Sequence, residues 1–219
     1  MMVHKKPCRI ENYTQKNRAD TKYIVVHYTS NKGDTAKNNA DYFAREKVGA
    51  SAHFFVDENE IWESVPETGV AWHCGAKQYK HSECRNANSI GVEICMNDRA
   101  GKIRQGSIDH AARLVRELMQ RYRIPPERVL RHYDVTGKCC PRPMVDNPAL
   151  WQAFKNQIKE TEEMRYKYYD DMPDWAKPTI SKLVKKGCLK GEGGGVLDLS
   201  EDALKLLVIN DRAGVYGTD

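Results

Sequence analysis

Polar and apolar positions divide the chain into short extended runs and longer helical ones. Residues 22–28 (KYIVVHY) are β-branched and aromatic and predict a strand, and residues 35–47 open on a capping threonine and continue in helix formers. Residues 51–56 (SAHFFV) and 61–65 (IWESV), joined by the turn residues Asp57 to Asn59, predict a hairpin. In residues 89–95 (SIGVEIC), Ile90, Val92 and Ile94 fall on one side and Gly91, Glu93 and Cys95 on the other, so Glu93 faces away from the apolar side. Over residues 106–123 the positions Ile108, Ala111, Ala112, Val115, Leu118, Met119 and Tyr122 recur at helical spacing, and Pro125 and Pro126 end that helix. Residues 129–132 read as a short strand and residues 148–159 as a helix with Leu150, Trp151, Phe154 and Ile158 inward. Strands and helices alternating in this order predict an α/β first unit.

The charged stretch 160–167 (ETEEMRYK) reads as helix tail or linker. Beyond it, Asp174 is placed to cap a helix over 175–186 with Ile180, Leu183 and Val184 on one face and Gly187 closing it. The cluster GEGGG (191–195) predicts a loop, and Ser200 a cap for a last helix with Leu204, Leu207 and Val208 inward. The expected organisation is a domain over 1–160 and a small helical domain over 161–219. So short a second unit buries little surface by itself and needs a partner.

Composition narrows the class. The 219 residues are 40% hydrophobic and 30% charged with a mean hydropathy of −0.71, values of a folding, water-compatible chain. The longest apolar runs, such as 23–26 and 206–209, fall far short of the roughly 18 residues of a bilayer span, so no membrane partner is expected. The amino-terminal MMVHKKPCRIENYTQ has no apolar core of a secretory signal, and synthesis in the cytoplasm without a signal peptide is expected. From Glu162 onward 9 Lys and Arg stand against 11 Asp and Glu, a net of −2, which leaves 26 against 19, or +7, for the first 161 residues. A basic first unit suits an anionic polymer such as a cell wall. Nucleic acid is disfavoured, because no run of five consecutive basic residues occurs and the aromatics are not interleaved with cations.

The seven cysteines, Cys8, Cys74, Cys84, Cys95, Cys139, Cys140 and Cys188, are odd in number and irregular in spacing, which argues against a disulfide framework and for free thiols or a metal ligand. Candidate chemistry lies at element ends: His27 at a strand end, Glu93 within a strand, and the segment RHYDVTGKCCPRPM (131–144). A catalytic zinc takes about three N or S ligands plus water. His132 and Cys140 are separated by a short glycine-containing loop that can fold both onto one ion, and His27 can supply a third ligand from a neighbouring strand.

Taken together, VVHYTS with His27, SAHFFVDENEIW, AWHCG with Trp72 and His73, SIGVEI with Glu93, and RHYDVTGKCCPRP resemble the zinc-dependent N-acetylmuramoyl-L-alanine amidase family, which includes phage endolysins and peptidoglycan recognition proteins. The resemblance spans residues 20–160 in five segments. It implies a mixed central β-sheet flanked by helices and a Zn2+ ion held by His27, His132 and Cys140. The family's thiolate directly precedes a proline, here Pro141, which makes Cys139 a bystander. It further implies Glu93 and Lys138 as the catalytic pair. One branch of the family has a tyrosine before the histidine of SAHFFV where this chain has Ala52, so the site is read on the glutamate-using endolysin branch. His53 is expected to pack or wall the site, His73 and Trp72 to wall the site, contact substrate or support the ligands from behind, and Asp134 to orient a histidine ligand. His4, His81 and His110 carry no motif.

The implied activity is hydrolysis of the amide between N-acetylmuramic acid and L-alanine in bacterial peptidoglycan, by an enzyme acting on the cell wall after release. The alternative is a non-catalytic peptidoglycan-binding module, which in this family loses the cysteine ligand. In the second unit Tyr169, Asp171, Pro173, Trp175, Ala176, Ile180, Leu183, Gly187 and Gly191 resemble part of an S-layer-homology-type repeat in a single copy. Wall binding and dimerisation are both open for it.

Overall fold

The computed structural model describes residues 2–15, 20–96, 98–159 and 165–217. The chain divides into two compact units, Met1–Glu160 and Thr161–Asp219. In chain order the first holds β1 (His4–Lys5), β2 (Tyr13–Thr14), β3 (Tyr23–Lys32), α1 (Ala36–Arg45), β4 (Phe54–Val56), β5 (Ile61–Glu63), β6 (Val70–Ala71), β7 (Ser89–Met96), α2 (Gln105–Tyr122), β8 (Val129–Arg131), α3 (His132–Thr136), α4 (Arg142–Asp146) and α5 (Pro148–Lys159).

Six strands form one sheet in the order β1-β5-β4-β7-β3-β8, with β2 and β6 pairing separately. Within the large sheet β4 and β5 are antiparallel and the other pairings are parallel, so the sheet is mixed and flanked by helices, as the family resemblance implies.

Alternation along the strands sorts side chains between two faces. Ile24 and Val26 of β3, Phe54 and Val56 of β4, and Ile90, Val92 and Ile94 of β7 share one buried cluster with Ile108, Ala111, Val115 and Leu118 of α2 and Phe154 and Ile158 of α5. Burying each aliphatic side chain of this kind stabilises the fold by roughly 1.5–3 kcal/mol. Tyr23 and Val25 lie in a cluster with Val135 of α3, and Phe55 and Cys95 in one with Ala36 and Ala40 of α1. By the same period of two, His27 of β3 and Gly91 and Glu93 of β7 belong to this second face.

Local signals account for the element ends. Thr35 accepts a hydrogen bond from the Asn38 amide at 3.1 Å and starts α1. Arg123 turns left-handed at φ 53° and stops α2, directly before Ile124 and the two prolines. The stretch between His132 and Cys140, expected as a short loop, holds the five-residue helix α3 and a turn, and the five-residue helix α4 follows it.

The second unit contains β9 (Arg165–Tyr168), α6 (Lys177–Lys185), β10 (Val196–Ser200) and α7 (Glu201–Arg212). Ser200 caps α7 as predicted, accepting from the Ala203 amide at 3.1 Å. Two features differ from the sequence reading. β9 and β10 add an antiparallel pair to the two helices, with Tyr166, Leu197 and Leu199 packed against Met172, Ala176, Ile180 and Leu204. Asp174 does not cap α6: the helix starts at Lys177 after Ala176, with Pro178 in its first turn, and the Asp174 carboxylate pairs with Lys177 instead. Most of the expected helix tail or linker, residues 160–164, lies outside the described residues. Among the described residues no helix is long and apolar enough to cross a membrane.

Candidate functional site

β3 carries His27 into the interior, where it is 1% exposed. Val26 pairs with Arg131 of β8, so the chain turns into α3 beside His27 with His132 as the first helical residue. Gly137 closes α3 at φ 85°, a left-handed conformation that glycine adopts without strain. The turn folds back: the Tyr133 amide donates to the Cys140 carbonyl at 2.9 Å and the Cys140 amide to the Lys138 carbonyl at 2.7 Å. A cis Cys140–Pro141 peptide leads into α4.

Three donor atoms converge. His27 Nδ1 lies 3.1 Å from His132 Nδ1 and 3.8 Å from Cys140 Sγ, and ligand atoms of the three buried residues all lie within 4.8 Å of one another. Donors held tetrahedrally about a zinc at its usual bond lengths stand roughly 3.3–3.6 Å apart. Two imidazoles and a thiol are also a donor set that suits zinc. Burial lowers the His27 pKa well below the usual histidine value and brings His132 to about 4, so both rings are neutral at pH 7, the form that binds a metal. Burial pushes the Cys140 thiol up to about 12, which a bound cation would reverse. The residues fit a metal ion.

Glu93 stands in register with His27 across β3 and β7 and with Phe55 across β4 and β7. Burial pushes its carboxyl up to about 7, opposed by nearby Lys138. Its Oε2 atom is buried with no hydrogen-bond partner among the described residues. A buried carboxyl oxygen without a partner beside a donor cluster is a candidate for chemistry.

Three cavities meet at this cluster. A small one of about 140 Å³ is lined by His27, His73, Glu93, His132, Lys138 and Cys140. It shares Tyr28, Glu93, Lys138 and Cys140 with a cavity of about 480 Å³ that also includes Thr29, Tyr42 and Arg142. On its other side it shares Trp72, His73, His132 and Lys138 with one of about 560 Å³. The exposed Lys138 borders all three, so the donor cluster sits in the middle of an extended groove.

The remaining candidates separate into neighbours and bystanders. His73 Nδ1 is 3.0 Å from His27 Nε2, and Trp72 lines the groove while its Nε1 donates to Thr14 Oγ1 at 3.0 Å. His53 packs as expected, its Nδ1 accepting the Gly91 amide at 3.0 Å and its Nε2 lying 3.3 Å from the Gly69 carbonyl. The Cys139 thiol lies 3.7 Å from Asp146 Oδ1. Asp134 corrects the sequence reading: its carboxylate accepts the Arg131 backbone amide at 2.9 Å and the Arg131 guanidinium at 2.8 and 3.1 Å, and so fixes the start of the helix bearing His132 rather than a histidine ring. Tyr28, Thr29 and Arg142 in the groove wall and Ser89 beside His73 were not singled out from sequence. Tyr28 and Thr29 directly follow His27, and Arg142 lies two residues beyond Cys140, and that adjacency was the available signal.

Residues 17–143 match the family model described as N-acetylmuramoyl-L-alanine amidase, a span that contains every member of the cluster. The chain belongs to that family. Relatives include the amidase CwlL of Bacillus licheniformis, 37% identical over 161 residues, or 68% of this chain and 44% of CwlL. The amidase CwlH of Bacillus subtilis (strain 168) is 35% identical over 204 residues, covering 89% of this chain and 76% of CwlH. The chain spans less than half the length of the first relatives it matches and about three quarters of CwlH. Among solved structures, PlyL superposes with a TM-score of 0.63 at 32% identity, covering 73% of this chain and 98% of PlyL. The catalytic domain of XlyA superposes with a TM-score of 0.62 at 29% identity.

Proposed function

We propose that this chain is a zinc-dependent N-acetylmuramoyl-L-alanine amidase, an endolysin-type hydrolase that cleaves the amide between N-acetylmuramic acid and L-alanine in bacterial peptidoglycan. The observation that carries the reading is the convergence of His27 Nδ1, His132 Nδ1 and Cys140 Sγ beside Glu93, whose buried Oε2 has no hydrogen-bond partner among the described residues. Family membership and the relatives' names support it.

His27, His132 and Cys140 would hold the zinc. When bound, the ion supplies a Lewis acid that polarises the scissile carbonyl and activates water. Glu93 takes a proton from the attacking water at its free oxygen and returns it to the departing amide nitrogen, a role worth about 10²- to 10⁴-fold. Lys138, bordering every part of the groove, donates to the carbonyl oxygen as negative charge develops there, worth about 10²- to 10³-fold. The groove on either side gives room for the glycan and the peptide. A binding-only module needs neither the thiol nor a free buried carboxylate. The second unit is assigned to retaining the enzyme on the wall, by binding wall polymer or by pairing two copies.

The test is zinc content together with dye release from purified cell walls. One zinc per chain with hydrolysis that a chelator abolishes supports the proposal; wall binding by zinc-loaded protein without bond cleavage contradicts it.

A further inference from the structure

His27 is held from behind by a hydrogen-bond chain whose direction is fixed at its far end. Ser89 Oγ lies 2.7 Å from the Arg85 carbonyl, which can only accept, so the serine hydroxyl donates its one proton there. Ser89 Oγ must then accept from His73 Nε2, 3.1 Å away, which places the ring proton of His73 on Nε2 and leaves Nδ1 with a lone pair. That Nδ1 faces His27 Nε2 at 3.0 Å, so the proton of His27 sits on Nε2 and points to His73. His27 Nδ1 is thereby left unprotonated where it meets His132 Nδ1 and Cys140 Sγ. Cys74 Sγ stands farther off, 3.8 Å from Ser89 Oγ, so the nearer Arg85 carbonyl keeps the serine proton.

The strand beneath is shaped for the same purpose. A Cβ on Gly91 would stand 2.6 Å from His73 Cγ and 2.8 Å from His73 Nδ1, closer than atoms can approach. Gly91 shows no left-handed backbone that would call for glycine. The missing side chain is the space the His73 ring occupies.

We propose that His73 and Ser89 are positioning residues that set the tautomer and orientation of His27 for metal binding, and that Gly91 is glycine to admit His73. This rests on the zinc site proposed above. Neither residue need touch metal or substrate; they act through His27, as the outer partners of a ligating histidine do.

The experiment measures zinc affinity of the full chain by chelator competition, with the cobalt absorption spectrum as a second readout and thermal melting as the fold control. His73→Ala and Ser89→Ala should each weaken zinc binding about 10- to 100-fold. His73→Asn, whose Oδ1 falls near the lost Nδ1, should restore most of the affinity because it supplies the acceptor without the ring. Gly91→Ala, which removes no polar group, should weaken zinc binding like His73→Ala. Unchanged affinity in folded His73→Ala and Ser89→Ala overturns the proposal, and so does a folded His73→Asn as weak as His73→Ala. If the unmodified chain binds no zinc, the metal site itself fails; if it binds zinc and the variants match it, only the positioning role fails.

Discussion

His27 and Glu93 stand opposite one another as register partners on the parallel strands β3 and β7. Because side chains alternate with a period of two, their shared face puts a metal-binding ring beside a carboxylate without any loop having to bring them together. Slipping this register by one residue would set Val92 or Ile94 there instead. The third partner arrives from β8, whose pairing with β3 delivers His132 to the same place. Rigid strands thus fix one donor and the proposed base, while a short turn supplies the thiol and Lys138.

The neighbouring cysteines give a sharp distinction. Cys140→Ser should remove zinc and wall hydrolysis together, because a buried donor of the cluster is lost. Cys139→Ser should keep most of both, since its thiol lies 3.7 Å from Asp146 and outside the cluster. Metal analysis and dye release on the two purified variants check this.

Glu93→Gln should keep zinc and fold yet lower turnover by about two or more orders of magnitude. It should also change the pH dependence of stability in the metal-free protein. Burial raises the Glu93 pKa to about 7 from 4.5, so its folded state holds the proton more tightly than its unfolded state. That contribution is fully present below about pH 4.5 and is lost as pH rises through 7. The glutamine variant should lack this loss, and denaturant unfolding at pH 4.5 and pH 7.5 measures the difference.

Lys138→Ala should leave zinc content and melting temperature near those of the unmodified protein, because the side chain is exposed at the groove. Hydrolysis should fall about 10²- to 10³-fold. Steady-state rates on a soluble muropeptide, set beside metal analysis, separate a lost donor from a lost metal.

A fragment ending at Glu160 holds all the residues proposed for zinc binding and catalysis. It should bind zinc and cleave a soluble muropeptide, while lysing intact cells more weakly than the full chain. Parallel assays on the two substrates check this, and light scattering with a wall pull-down distinguishes lost pairing from lost wall binding.

The sheet and the long helices were legible because their periodicity runs over many residues: seven apolar positions mark α2, and the alternation in SIGVEIC placed Glu93 opposite the apolar side. α3 and α4 were not legible, since five residues make less than two turns and carry no period to read. The role of Asp134 was missed because its partner is Arg131, the residue just before His132, and a charged pair three residues apart caps the helix locally. β10 follows a glycine-rich loop and is only five residues long, so its pairing with β9 shows in the folded chain alone. The histidine chain from His27 through His73 to Ser89 depends on contacts across strands and loops, and on a gap at Gly91 that a pattern of residue types does not reveal.

The most direct measurement is release of new L-alanine amino termini from purified peptidoglycan by the zinc-loaded, chelated and zinc-restored protein, with Glu93→Gln alongside. The account predicts amino termini from the loaded protein, none after chelation, recovery on adding zinc, and at most about a hundredth of the rate from the zinc-loaded Glu93→Gln protein. Undiminished release after complete removal of zinc, or release at the unmodified rate by Glu93→Gln, would contradict it.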